Sequence, residues 1–138
     1  MVVVDGKGIP LGHHLDRANP AEITLAPKVI ADVKVGRRGP GRPRTRPQRL
    51  IADKAYDSDK LRAELRARGI DLIAPNRAGR GKTQDGRKLR RYRHRWIVER
   101  TFAWLHNFRR LRTRDENLLV MYAGFFHLAL MLIALRRL

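Results

Sequence analysis

The alternation of apolar and polar positions predicts a strand hairpin and a helix in the first part of the chain. Two apolar runs, Val2–Val4 and residues 9–15, flank the pair Asp5-Gly6, which is typical of the tight turn in a β-hairpin. A helix is predicted to begin at Asn19-Pro20, because asparagine caps helices and proline suits their first turn. Apolar residues at helical spacing continue this helix to Val33.

The middle of the chain predicts a strand, a helix and a second strand. The first strand covers residues 50–52 and ends at Asp53, the helix covers residues 59–68, and the second strand covers residues 70–74. Two residues are candidate caps of this helix: Asp57 and Ser58. Such an order within a short segment is typical of a parallel βαβ unit.

Helical periodicity returns over residues 92–108, and a final apolar helix is predicted over residues 116–137. Its uninterrupted apolar part, residues 118–135, is at the lower limit of the length of a membrane span. A histidine at mid-span, His127, would be costly in lipid, and the chain has no second long apolar segment. A helix packed into a protein core is therefore favoured over a span, and no membrane partner is expected.

The charge of the chain is concentrated in two segments. The formal net charge is +18, and residues 36–49 contain six arginines and no acid. Residues 77–114 contain fourteen basic residues and two acids, whereas the remaining chain is neutral. The first segment is rich in glycine and proline, which predicts an extended basic linker. Both segments would attract a polyanion by releasing its counterions, so a nucleic acid is the expected partner.

Two features that the sequence lacks limit the possible functions further. The chain contains no cysteine, which excludes disulfides and thiolate metal sites. Its first residues do not form a charged region followed by a long apolar stretch, so no signal peptide is predicted and the cytoplasm is the expected location.

The helix predicted over residues 92–108 has a polar face with an isolated carboxylate. Four residues share this face at helical spacing: Tyr92, Arg95, Glu99 and His106. Apolar residues lie on the opposite side, and Glu99 is the one acid within residues 88–113. The spacing alone leaves two interpretations open, a functional carboxylate and a structural ion pair with Arg95 or Arg100.

Asp53 is the second candidate carboxylate. It follows the predicted strand over residues 50–52, and functional groups of open α/β sheets gather at the carboxyl ends of their strands. The alternative is that Asp53 caps the turn or helix that comes next.

Two segments of the chain are similar to one enzyme family. Residues 50–59, LIADKAYDSD, resemble the second-aspartate block of bacterial insertion-sequence transposases with a DDE catalytic triad. Residues 92–111 resemble the glutamate block of that family, Y-x-x-R-x-x-x-E-x-x-x-x-x-x-K. Three residues match this signature in register: Tyr92, Arg95 and Glu99. The signature lysine is replaced by His106, which is basic only when its imidazole is protonated.

The resemblance implies an RNase H-like α/β domain, a mixed sheet flanked by helices, that cleaves and transfers DNA strands in transposition. It implies two divalent cations, Mg²⁺ or Mn²⁺, held by three carboxylates, of which Asp53 and Glu99 are two. By the same resemblance these two residues are the catalytic ones present. Three further residues would contact DNA phosphates: Tyr92, Arg95 and His106. The partners would be transposon ends and target DNA.

The third carboxylate of the family lies on the first strand of its sheet, which is expected upstream of Met1. Asp5 is the alternative candidate, but the sequence around it, DGKG, predicts a turn. The chain therefore resembles the C-terminal part of the catalytic domain, over residues 1–138, without the first strand. Such a part is expected to be inactive alone, with an upstream transposase segment or a second copy as partner. The other hypothesis is a non-catalytic basic protein that binds nucleic acid.

Overall fold

The computed structural model describes residues 1–16, 22–36, 39–81, 83–113 and 115–137. Strands and helices are mixed along this part of the chain, so the α/β class is confirmed. Its strands and α-helices are β1 (Val2–Val4), β2 (Pro10–His13), α1 (Glu22–Ala31), β3 (Arg49–Ile51), α2 (Asp59–Ala67), β4 (Asp71–Ile73), α3 (Gly86–Leu89), α4 (Trp96–His106), α5 (Arg109–Arg112) and α6 (Leu119–Leu135). Two 3-10 helices accompany them, Lys54–Tyr56 and Arg90–Arg95.

β1 and β2 pair antiparallel and form the predicted hairpin. Asp5 shapes the turn, because its Oδ1 accepts hydrogen bonds from the backbone N–H groups of Lys7 and Ile9, each 2.8 Å long. Gly8 has a φ of 85°, a left-handed conformation that glycine adopts without steric cost. The hairpin prediction is confirmed, and β2 is shorter than the apolar run that predicted it.

α1 packs against both halves of the molecule. Val29 in the helix and Val33 just after it are buried against β1. Ala26 and Ile30 are buried in a cluster with α2 and β4. Side-chain packing on α1 therefore holds the hairpin and the βαβ unit together. The residues predicted to begin this helix, Asn19-Pro20, lie outside the described part of the chain.

β3, α2 and β4 form the predicted βαβ unit. β3 and β4 pair parallel, with Leu50 opposite Leu72. Of the two candidate caps it is Ser58 that acts, since its Oγ accepts a hydrogen bond from the backbone N–H of Leu61 at 3.4 Å. Gly69 ends the helix with a φ of 74°, and the chain then enters β4. This prediction is confirmed.

The prediction of one mixed sheet is not confirmed in the described residues. The antiparallel pair β1–β2 and the parallel pair β3–β4 are two separate two-stranded sheets. Each short strand bonds one neighbour, and no described strand joins the two pairs. The hydrophobic pattern of a strand indicates which faces are buried, but it does not indicate which distant strand lies beside it.

The predicted single helix over residues 92–108 is divided in the structure. Arg90–Arg95 is a 3-10 helix and α4 covers Trp96–His106, after which Phe108 takes an extended conformation before α5. In a 3-10 helix side chains three residues apart lie over each other, so Tyr92 and Arg95 still share a face. The predicted apolar side is partly confirmed, since Leu105 is buried against α6.

α6 buries one face and exposes the other. The buried residues pack against the hairpin and α4: Phe126, Ala129, Leu130 and Ile133. Four apolar residues on the other side are about half exposed: Met121, Leu128, Met131 and Leu135. A helix enclosed all round was expected, and the structure encloses half of it. Within the described residues no helix has both the length and the apolar character of a membrane span.

The segment predicted as a basic linker, residues 36–49, is largely exposed where it is described. Its last residue, Arg49, belongs to β3, and the backbone carbonyl of Gln48 accepts a hydrogen bond from the N–H of Asp71 in β4 at 3.0 Å. Two further attachments come earlier in the segment. Val35 and Arg44 form an isolated antiparallel bridge, and the Arg46 guanidinium donates to the backbone carbonyl of Arg68 at 3.1 Å. These contacts hold a loop against the C-terminal end of α2.

Candidate active site

Asp53 lies at the carboxyl end of β3, where the parallel pairing stops. The backbone N–H of Ala52 still donates to the carbonyl oxygen of Ile73 in β4, and a 3-10 helix begins at Lys54. Asp53 caps this helix, because its Oδ1 accepts a hydrogen bond from the backbone N–H of Lys54 at 2.6 Å. Its side chain is nevertheless 42% exposed, so oxygen remains accessible to solvent.

Arg95 joins Asp53 to Glu99. The guanidinium Nη1 lies 3.1 Å from Asp53 Oδ1, and Nη2 lies 2.5 Å from Glu99 Oε1. Nη1 also donates to the Tyr92 hydroxyl at 3.0 Å, and that hydroxyl donates to Asp53 Oδ1 at 3.5 Å. Four of the five predicted site residues therefore form one cluster, which brings together the end of β3 and the start of α4.

The cluster favours the charged form of its arginine. The hydrogen bond to Tyr92 contributes most to raising the pKa of Arg95 above its ordinary value, while burial opposes the shift. The hydrogen bond to Glu99 and the charge of Asp53 raise the pKa further. Arg95 is therefore a permanent cation in contact with both carboxylates.

His106, the fifth predicted site residue, is not in this cluster. It is the last residue of α4 and is exposed. Seven residues of α-helix separate it from Glu99 by about 10 Å along the helix axis. No contact described in the structure joins it to Asp53, Arg95 or Glu99. Its position on the same side of α4 agrees with the spacing, but reaching a phosphate bound at Arg95 would require an extended ligand.

The donor chemistry of the cluster fits a hard divalent cation in part. Carboxylate oxygens are the ligands that Mg²⁺ and Mn²⁺ prefer, and Asp53 and Glu99 present two carboxylates around one small positively charged group. Within the described residues no group of three potential ligands lies close enough to hold a metal ion. Asp5 does not complete such a group, and its Oδ1 accepts the hydrogen bonds of the hairpin turn.

A second charged cluster lies beside this site, and sequence reasoning missed it. The carboxylate of Asp57, whose side chain is fully buried, accepts hydrogen bonds from Arg62 Nη2 at 3.0 Å, Arg80 Nη1 at 2.5 Å and the backbone N–H of Arg77 at 3.0 Å. Burial alone would raise the pKa of Asp57. The hydrogen bonds from Arg80, from Arg77 and from Arg62 outweigh it and lower the pKa from 3.8 to about 2.

The arginines around Asp57 also bind the backbone at the ends of both parallel strands. Arg62 donates to the carbonyl oxygens of Leu72 and Ala74, at 3.1 and 2.8 Å. Arg77 donates to the carbonyl oxygen of Ala55 in the 3-10 helix that Asp53 caps, at 2.5 Å. The Asp57 cluster therefore fixes the turn that follows Asp53 to the loop after β4. The signal in the sequence is Asp57 itself, whose position before α2 also suits a helix cap.

Comparison with known proteins identifies the family of the chain. The family model described as the transposase DDE domain matches residues 1–134. The chain belongs to this family. The resemblance of residues 50–59 and 92–111 to insertion-sequence transposases is thereby confirmed.

Two curated relatives of this DDE domain are similar over nearly the whole chain. The proposed transposase of insertion sequence element IS402 from Burkholderia cepacia is 39% identical over 132 residues, which are 96% of this chain and 60% of the relative. The proposed transposase of insertion sequence element IS6501 from Brucella ovis is 33% identical over 144 residues, covering 97% of this chain and 95% of the relative. The chain thus spans about three fifths of the length of the first relative. No solved structure gives a significant match.

Proposed function

We propose that this DDE domain binds DNA and supplies two carboxylates, Asp53 and Glu99, to a site for metal-dependent strand cleavage and transfer. The observation that supports this most is the contact of both carboxylates with one guanidinium, Arg95. The two residues belong to separate sequence blocks, yet they surround one cationic group. That arrangement suits a cation-binding site at the carboxyl end of a strand.

Asp53 and Glu99 would hold the cations, and Tyr92 and Arg95 would orient a phosphate beside them. Divalent cations, when bound, activate a hydroxyl nucleophile and stabilise the leaving oxygen of an in-line displacement. The Arg95 guanidinium offers paired N–H donors to phosphate oxygens, and the Tyr92 hydroxyl adds a hydrogen bond. An RNase H-like sheet would need a further strand to join the antiparallel and parallel pairs. The third carboxylate of the site would lie on that strand.

The charge distribution supports DNA as the partner. The 3-10 helix Arg90–Arg95 contributes Tyr92 and Arg95 to the carboxylate cluster, and its other arginines, Arg90, Arg91 and Arg93, are exposed. Neutralising DNA phosphates with such groups releases counterions, so the affinity should fall steeply as the salt concentration rises. The proposed site contains two carboxylates, whereas the family site that it resembles has three, so we expect the chain alone to bind DNA without transferring strands.

The test combines DNA binding with metal binding. We expect Mn²⁺ to raise the melting temperature of the chain, and Asp53→Asn to remove that increase. A matched control, Asp71→Asn, changes a carboxylate that pairs with Lys88 away from the site and should leave the increase intact. Efficient Mg²⁺-dependent strand transfer by the purified chain, abolished by Glu99→Gln, would show that the third ligand lies within it.

A non-catalytic nucleic-acid-binding protein is the second candidate function. It is favoured by the capping role of Asp53 and by the ion pairs that neutralise both carboxylates with Arg95. Under this alternative Asp53 and Glu99 have structural roles only. DNA affinity would then depend on salt as before, and Mn²⁺ would have no effect that Asp53→Asn removes.

A further inference from the structure

Arg95 occupies the space between the two carboxylates that the proposed function assigns to divalent cations. Its two terminal nitrogens contact Asp53 Oδ1 and Glu99 Oε1, one each. A divalent ion such as Mg²⁺ binds carboxylate oxygens at about 2.0–2.1 Å, closer than any N–H donor. The same oxygens cannot accept both the guanidinium and the ion at full strength. The ion pair of Arg95 therefore opposes metal binding.

Arg95 is also placed to bind a phosphate. Its side chain is 33% exposed, and it lies on a 3-10 helix whose neighbouring residues Arg91 and Arg93 are exposed as well. A guanidinium forms paired, charge-assisted hydrogen bonds with phosphate oxygens. A DNA phosphate at this helix would compete with Asp53 and Glu99 for the same N–H groups. Any shift of Arg95 toward the phosphate frees carboxylate oxygens.

We propose that Arg95 is a competing occupant of the cation site and that a DNA phosphate relieves this competition. This inference rests on the proposed function. DNA binding and metal binding then strengthen each other, because a coupling between two ligands acts equally in both directions. The domain would hold its cations weakly until DNA lies beside Asp53 and Glu99.

Tyr92 stabilises the state in which Arg95 blocks the site. Its hydroxyl accepts a hydrogen bond from Arg95 at 3.0 Å and lies 3.5 Å from Asp53 Oδ1. Removing this hydroxyl leaves the ion pairs of Arg95 in place but takes away one of its contacts. Tyr92→Phe should therefore release part of the block.

The test measures Mn²⁺ binding from the electron paramagnetic resonance signal of the free ion, with and without a short duplex DNA. Arg95→Gln is compared with Arg93→Gln, which removes the same charge from the same 3-10 helix without touching a carboxylate of the site. Without DNA, we expect Arg95→Gln to bind Mn²⁺ about tenfold more tightly than Arg93→Gln, within the usual range of coupling between sites. DNA should tighten Mn²⁺ binding by the wild type and Arg93→Gln, and hardly by Arg95→Gln.

Lysine at this position provides a second variant in case Arg95→Gln does not fold. Arg95→Lys keeps the charge, but one ammonium group does not reproduce the paired contacts, so its Mn²⁺ affinity without DNA should exceed that of the wild type. If Arg95→Gln, folded by circular dichroism, binds Mn²⁺ no better than Arg93→Gln, Arg95 does not compete with the ion. If no sample binds Mn²⁺ in a way that Asp53→Asn removes, with or without DNA, the proposed function itself is wrong.

Discussion

Replacing Asp57 with asparagine removes the negative charge on which three segments of the chain converge. The carboxylate is fully buried and accepts hydrogen bonds from the side chains of Arg62 and Arg80 and from the backbone N–H of Arg77. Lowering its pKa from 3.8 to about 2 corresponds to about 2 kcal/mol of folding free energy. Removing one partner of a buried ion pair typically costs about 3–5 kcal/mol, and the cost is reduced here because the side chains of Arg62 and Arg80 are 29% and 20% exposed. We therefore expect a loss of about 2–4 kcal/mol.

Urea unfolding at neutral pH measures this loss. The matched control is Asp59→Asn, which makes the same chemical change at another partner of Arg80 whose side chain is 62% exposed. An exposed ion pair contributes little, so this variant should lose less than about 1 kcal/mol. If Asp57→Asn is no less stable than Asp59→Asn, the structural role assigned to the Asp57 cluster is refuted.

The pH dependence of the same variant provides an independent check. The folded state lowers the pKa of Asp57, so the ionised carboxylate stabilises the fold fully above the pKa of the unfolded state, 3.8. This stabilisation is lost as the pH falls toward 2. The stability difference between the wild type and Asp57→Asn should therefore be constant near neutral pH and shrink between about pH 4 and pH 2. A difference that stays constant in acid would mean that Asp57 does not act through its charge.

Two further predictions concern the contact between the hairpin turn and α4, both measured by thermal unfolding. Gly8→Ala should destabilise the folded state by about 1–2 kcal/mol, because Gly8 has a φ of 85° and an added Cβ would lie 3.0 Å from Thr101 Oγ1. Its control is Gly6→Ala, which has open space around the added Cβ and should change stability by less than about 0.5 kcal/mol. Thr101→Val should cost about 1–3 kcal/mol, because the Thr101 hydroxyl donates to the buried Gly8 carbonyl at 2.8 Å. Thr113→Val, at an exposed position, is its control. Equal losses of stability from the two substitutions would show that the hydrogen bond of Thr101 to Gly8 does not stabilise the fold.

Local signals in the sequence account for much of the fold. Ser58 and Gly69 mark the ends of α2 because one caps a helix with its hydroxyl and the other adopts a left-handed conformation at little cost. Asp5-Gly6 marks the hairpin turn in the same way. Each of these effects acts over a few residues, so each is readable before the tertiary structure is known.

The contacts of the candidate site were predictable where they follow helical spacing. Arg95 and Glu99 are four residues apart and pair as their spacing suggests. Asp53 joins them through tertiary packing, which the two family blocks indicated and which periodicity could not. The Asp57 cluster was not predictable, because its partners Arg62 and Arg80 come from separate segments and each resembles an ordinary surface arginine.

Paramagnetic broadening of amide signals by Mn²⁺ tests most directly whether Asp53 and Glu99 together form a cation site. This NMR measurement detects weak binding and locates it along the chain. We predict selective broadening of residues 52–54 and 95–99 at low Mn²⁺, with residues 129–133 of α6 unaffected. Broadening centred on other acidic residues such as Asp85, or spread evenly over the surface, would contradict the account.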